Sequence, residues 1–232
     1  MERKVKFKIG RETLRGSMFI PQGKGPFPSV IFFHGSSGNG EMHFDLAKSI
    51  SKRGVLGFAF NYRGCGVSDG EFKDQTVGMG IKDGKAAIEF FLSQKEVDKK
   101  RLGFSGGSFG GFLASLFANR FNPKSVVLIA SAAYSSEVYA THRDSDSDLR
   151  KDFEESNSYK EIAKFKGNLL VVSCELEDVL PPLMVEKYLE SAQNASKKEK
   201  FTLRGSKHRI SINLLERSTL IDKIKEWLLE TL

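Results

Sequence analysis

GFSGGSFGG, residues Gly103–Gly111, holds the pattern G-x-S-x-G in two overlapping registers, centred on Ser105 or on Ser108. That pattern marks a serine on a sharp turn between a strand and a helix, where flanking glycines relieve the crowding. The two registers make different demands. With Ser105 at the turn, the strand shrinks to Arg101–Gly103 and the helix opens on Gly-Gly-Ser, a weak start. With Ser108 at the turn, the strand is Arg101–Gly106. The helix behind it then carries Phe109, Phe112, Leu113, Leu116 and Phe117 at i, i+3, i+4, i+7 and i+8. Ser108 is therefore the candidate nucleophile, and Ser105 a strand residue near it.

Outward from this stretch, apolar runs of strand length alternate with segments of helical period. Val5–Ile9 and Leu14–Pro21 read as two strands around a polar turn. SVIFFH (Ser29–His34), Val55–Tyr62, Ser125–Ser131 and Leu169–Cys174 are runs of buried-strand character. Phe201–Arg204 reads as the last strand. Helices are predicted over Glu41–Arg53, Thr76–Leu92, Phe109–Arg120, Pro182–Ser191 and Leu214–Leu232. The alternation predicts an α/β fold with a mostly parallel sheet. Its ligand crevice lies beyond the carboxyl ends of the strands. Tyr134–Phe165 breaks the rhythm as a polar stretch long enough for a lid. Asp144, Asp146 and Asp148 alternate there, but the EF-hand glycine and closing glutamate are missing, so a solvated loop is expected rather than a calcium site.

Bulk composition narrows the classes. The 232 residues are 40% hydrophobic and 28% charged, enough for one large domain with a real core. The net charge of +7 is scattered along the chain. Its densest run, Lys197-Lys198-Glu199-Lys200, reads as a solvated helix end or loop, and no nucleic-acid partner is expected. Cys65 and Cys174 have neither disulfide-framework nor zinc spacing. No apolar run reaches membrane-spanning length and the first residues are no signal peptide, so a soluble cytoplasmic protein is expected. Oligomeric state is not readable.

A serine nucleophile needs a base and an acid that orients it. His208 follows the last strand, downstream of an acidic loop, which matches the order Ser, Asp/Glu, His. VVSCELEDVLPP offers Glu175, Glu177 and Asp178 at a strand end. The oxyanion donors are expected to be the backbone N–H of Phe109 and that of Ser36, in the loop after SVIFFH. His34 is expected to brace that loop, and His43 comes too early in the order.

With these residues in place, the chain resembles the α/β-hydrolase superfamily. HGSSGNGEMHFDLAKSISKRG followed by FNYRGCGVSDG is similar to the cinnamoyl (feruloyl) esterase, monoacylglycerol lipase and serine-aminopeptidase-like group. The HGxxG, RGxGxSxG, GxSxGG and late histidine motifs occur in the expected order from about Val5 to the C-terminus. The resemblance implies an α/β-hydrolase fold: eight strands with the second antiparallel, flanking helices, and one domain over 1–232 with a short lid at about 134–165. It implies no cofactor and no metal. It carries over Ser108 as nucleophile, His208 as base, Ser36 and Phe109 as oxyanion donors, and Arg63 and Asp69 as structural residues. The family's G-x-x-D-x-x-x-P reads here as Cys174-Glu175-Leu176-Glu177-Asp178-Val179-Leu180-Pro181. Counting from the glycine slot or the first proline selects Glu177, and counting from Pro182 selects Asp178. Glu177 is preferred and Asp178 stays open.

The implied activity is hydrolysis of carboxylic esters of small to medium acyl or aromatic acids through an acyl-enzyme. A small-peptide peptidase, a thioesterase, an acyltransferase or a non-catalytic binding protein on the same fold are the alternatives. Phe72, Tyr134, Tyr139 and Phe153 are candidates to line an acyl pocket, and loop packing accounts for them equally.

Overall fold

In the computed structural model, which describes residues 1–36, 40–143, 152–210 and 214–232, the run SVIFF lies in a strand with both faces covered. This strand, Phe27–Phe33, sends Ile31 and Phe33 into one hydrophobic core and Val30 and Phe32 into another. Ser125–Ile129 and Asn168–Cys174 divide in the same way. Val126, Leu128, Leu169 and Val171 face the first core, and Val127, Ile129, Leu170 and Val172 the second. Successive strand residues point to opposite faces. A run that is apolar throughout therefore fits a strand between two helix layers. Full burial of each such side chain contributes about 1.5–3 kcal/mol.

The strands in chain order are β1 (Glu2–Ile9), β2 (Glu12–Phe19), β3 (Phe27–Phe33), β4 (Leu56–Asn61), β5 (Val97–Gly107), β6 (Ser125–Ile129), β7 (Asn168–Cys174) and β8 (Lys197–Leu203). They form one sheet in the order β1-β2-β4-β3-β5-β6-β7-β8. β2 runs antiparallel to both of its neighbours, and the other pairings are parallel. α1 (Glu41–Ser51) and α6 (Leu214–Thr231) cover one face of the sheet. α2 (Val77–Leu92), α3 (Phe109–Phe121), α4 (Asn157–Lys164) and α5 (Pro182–Ser191) cover the other.

Two strand boundaries differ from the sequence reading. Lys197–Lys200 is not a helix end or loop but the first half of edge strand β8, where exposure alternates residue by residue. Its charges pair outward, Lys197 with Glu230, Glu199 with Lys223 and Lys200 with Glu186. Charged side chains suit a strand at a sheet edge, and they hide its apolar pattern. β5 starts at Val97 rather than Arg101, because Asp98–Arg101 is a polar lead-in. Asp144, Asp146 and Asp148 lie outside the described residues.

The loop after β4 is tied down on both sides. Arg63 donates from its backbone N to Asp83 Oδ2 at 2.9 Å and from Nε to Asp83 Oδ1 at 2.7 Å. Its Nη1 reaches Glu12 Oε2 at 3.0 Å. Asp69 accepts from Thr13 N at 2.9 Å and from Arg15 Nη1 at 2.6 Å. Burial pushes the Asp83 carboxyl up, against the pull of the Arg63 N–H and charge. A buried pair of this kind is costly to break from one side. Replacing Asp83 with Ala is expected to destabilise the fold by about 3–5 kcal/mol in urea denaturation, since Arg63 is left buried with half its partners.

Candidate active site

β5 ends at Gly107 and α3 starts at Phe109, so Ser108 alone makes the turn. Its backbone sits at φ 52°, ψ −118°. For a residue with a side chain this costs on the order of 1–3 kcal/mol. Four hydrogen bonds hold it there. Ser108 N donates to Ile129 O at 2.9 Å, and Ser108 O accepts from Gly111 N, Phe112 N and Ala132 N at 3.0, 3.2 and 3.1 Å. The glycine spacing follows from the same crowding. A Cβ on Gly110 would collide with the carbonyls of Phe33 and His34, and one on Gly106 with the carbonyl of Gly110. Ser105 is fully buried inside β5, between Phe32 of β3 and Val127 of β6.

Ser108 Oγ lies 3.0 Å from His208 Nε2, and His208 Nδ1 lies 2.9 Å from Glu177 Oε2. The other Glu177 oxygen, Oε1, accepts from Val179 N at 2.9 Å and Leu180 N at 3.0 Å. Burial pushes this carboxyl up, but the bond to His208, its charge and the two N–H donors outweigh that, and Glu177 lies below its ordinary range. Asp178 is not in the row. Its side chain is 46% exposed and pairs with Lys207 Nζ at 3.2 Å. It meets His208 only at the backbone, accepting from His208 N at 3.3 Å. Glu175 caps the same loop, accepting from Gly205 N at 2.7 Å. Each of the three acids thus holds a different part of the histidine loop.

Phe109 N–H belongs to the first turn of α3, where no intrahelical acceptor exists. Ser36 follows β3, and a Cβ on its neighbour Gly35 would stand 3.7 Å from the Ser108 Cβ, so this loop runs past the serine. His34 is buried beneath it. Its Nδ1 meets Gly35 O at 2.9 Å, its Nε2 accepts from Tyr62 N at 3.4 Å, and its carbonyl accepts from Tyr62 Oη at 3.1 Å. His43 packs near Gly107. Burial lowers His43 to about 4 and His34 well below the ordinary histidine range, so both are neutral at neutral pH.

The four aromatic candidates all make packing contacts among the described residues. Tyr134 contacts the rings of Phe112 and Phe109 with centroids 4.9 and 5.8 Å apart. Phe72 meets His142 at 5.2 Å, while Tyr139 and Phe153 lean on the same core.

Two residues here are absent from any motif. Arg143 is buried with its guanidinium over the rings of Tyr62, Phe72 and Phe109 at 5.0, 5.2 and 5.7 Å, and Nη2 donates to Cys65 Sγ at 2.7 Å. Tyr188 of α5 donates to Ala132 O at 2.6 Å and meets Ser158 Oγ at 2.9 Å and Ser115 Oγ at 3.2 Å. Ala132 in turn donates to the Ser108 carbonyl. No local sequence signal marks either residue, because every partner lies far along the chain.

Residues 42–232 match the prolyl oligopeptidase family. The chain belongs to that family. It is 28% identical over 218 residues to the uncharacterised protein Rv2307c of Mycobacterium tuberculosis, covering 94% of this chain and 75% of that one. It is 30% identical over 129 residues to esterase EstD of Thermotoga maritima, covering 52% of this chain and 31% of EstD. Among solved structures, Est1E of Butyrivibrio proteoclasticus with ferulic acid bound superposes with a TM-score of 0.76 at 17% identity, covering 98% of each chain. The fold is the α/β-hydrolase fold, and the protein is a member of a hydrolase family of esterases and peptidases.

Glu177 lies below its unfolded value, so it adds stability above that value and loses it as pH falls through the folded one. The stability difference between wild type and Glu177→Gln is expected to be full at neutral pH and to shrink in urea melts as pH falls from the unfolded value through the lowered folded one. Tyr188→Phe removes the donor to Ala132 and is expected to cost about 1–2 kcal/mol by the same measurement.

Proposed function

We propose that this hydrolase is a serine-dependent carboxylesterase working through an acyl-enzyme. The observation that carries the reading is the unbroken row Glu177–His208–Ser108, which ends on a serine held in a strained turn. A serine hydroxyl is a weak nucleophile at neutral pH. His208 Nε2, 3.0 Å from Ser108 Oγ, takes its proton as the oxygen attacks the ester carbonyl. Glu177 holds the Nδ1–H, which leaves the lone pair on Nε2, and its charge offsets that of the imidazolium. The developing oxyanion is met by the N–H groups of Phe109 and Ser36. Collapse expels the alcohol, which takes the proton from His208 and leaves Ser108 acylated. Water then gives its proton to His208 and attacks the acyl carbon; the bond to Ser108 Oγ breaks, the serine oxygen takes the proton back from His208, and the acid leaves.

The esterase EstD and the ferulic acid in Est1E support small to medium acyl or aromatic acids as substrates. In this reading the whole chain, 1–232, acts as one hydrolase domain. Membership of a family named for an oligopeptidase supports a second reading, a peptidase on the same residues. Relative rates on p-nitrophenyl esters and aminoacyl p-nitroanilides separate the two.

The test is hydrolysis of p-nitrophenyl esters of increasing chain length. Ser108→Ala is expected to lose about 10^4-fold or more, and Glu177→Gln about 10^3- to 10^4-fold. Ser105→Ala and Asp178→Asn are expected to keep most activity. A well-folded wild type that is inactive on every ester, or an active Ser108→Ala, would sink the esterase reading.

A further inference from the structure

A concavity of about 810 Å³ lies on the α1 side of the sheet, and none of its lining residues belongs to the row around Ser108. Its floor is the face of β1, β2 and β4 that carries Lys6, Arg15 and Asn61, and its wall is α1 with Phe44. β2 is three strands from β5, or about 14 Å at the usual strand spacing. The volume falls within the range of small-molecule sites, about 300–1,000 Å³.

The floor sets two cations side by side, Lys6 exposed and Arg15 paired with Asp69. Lys6 stands directly opposite Arg15, and Arg15 directly opposite Asn61, so the three form one row across three strands. Like charges directly opposite on a sheet face are destabilising. Lys6 has no ion pair among the described residues. Arg15 makes all its side-chain bonds through Nη1, to Thr13 O, Val67 O and Asp69 Oδ1, which leaves Nε and Nη2 without a described partner. At the inner end of the row, Asn61 is 5% exposed, and its Oδ1 is buried with no described hydrogen-bond partner. An unmet buried acceptor costs about 1–3 kcal/mol. The acids nearby are Asp69, paired with Arg15 itself at 2.6 Å, Asp45, paired with Arg217, Glu2, paired with Lys4, and Glu41 at the start of α1.

We propose that this groove binds a small organic carboxylate with a hydroxyl or amide N–H on the adjacent carbon and an apolar body. The carboxylate sits between Lys6 and Arg15, the neighbouring donor meets Asn61, and the apolar part lies along Phe44 and Val67. The row sets this order: one acceptor, then two cations, at successive strand spacings. The proposal stands apart from the chemistry assigned to Ser108.

Mandelate is the probe, titrated calorimetrically into the Ser108→Ala protein and into wild type. Saturable one-to-one binding is expected in both. Phenylacetate, which lacks the hydroxyl, and mandelamide, which lacks the charge, are each expected to bind roughly tenfold more weakly, the loss of one buried hydrogen bond or charge contact. Lys6→Glu, at an exposed strand position, is expected to weaken mandelate by at least as much and to leave p-nitrophenyl acetate hydrolysis unchanged. The proposal is overturned by absence of saturable binding, by equal binding of all three compounds, by indifference to Lys6→Glu, or by loss of binding when a fluorophosphonate occupies Ser108. The last outcome would place the ligand at the serine instead.

Discussion

The strained backbone at Ser108 is the constraint on which the rest depends. A positive φ at a non-glycine residue persists only where the surroundings over-determine it. Here the carbonyl of Ser108 receives three N–H donors, two from the first turn of α3 and one from Ala132, while its own N–H is taken by Ile129. Those partners belong to α3 and to the end of β6 and the loop behind it. β3, on the other side of β5, forces the close packing that makes Gly110 necessary. The serine therefore sits where three parallel strand ends and one helix start converge. It cannot relax without disturbing all of them.

The same logic fixes the histidine. β7 and β8 pair in parallel up to Cys174 and Leu203, so the loops that follow leave the sheet side by side. The three acids of one loop grip the other at separate points. Glu175 holds Gly205 N, Glu177 holds the His208 ring, and Asp178 holds His208 N and Lys207. Crowded like charges in the sequence are thus distributed among different donors in space. The N–H groups of Val179 and Leu180, just ahead of α5, set the direction of the Glu177 carboxylate. Two turns further along the same helix, Tyr188 reaches Ala132, which holds the Ser108 carbonyl. α5 therefore links the acid loop to the serine turn.

This division explains what could be read from the sequence. The choice between Ser105 and Ser108 follows from strand length and helix patterning, both local, and the structure buries Ser105 inside β5. The central strands are legible as continuous apolar runs with two covered faces, while their order in the sheet is not a local property. The choice between Glu177 and Asp178 stays open at that level because counting along a loop does not say which side chain turns inward. Asp83, Arg143 and Tyr188 act through partners distant in the chain, and no spacing rule finds them. The first half of β8, Lys197–Lys200, is hidden because the outward charges of an edge strand mask its alternation, while its second half is read as a strand from Phe201.

Charge gives the sharpest contrast between chain and fold. Along the sequence the positive residues look scattered, with Lys4 and Lys6 separated by Val5 and with Arg15 beyond a turn. A strand sends alternate residues to one face, so Lys4 and Lys6 emerge together while Val5 leans on the core behind. The antiparallel return of β2 then sets Arg15 beside Lys6. Two ordinary features, period-two alternation and a tight hairpin register, thereby convert a dispersed charge into a local cationic face. That face lies three strands from Ser108, on the side covered by α1. Its charge lines that groove, while the acid that pairs with the serine's histidine is Glu177 and the buried His34 and His43 stay neutral.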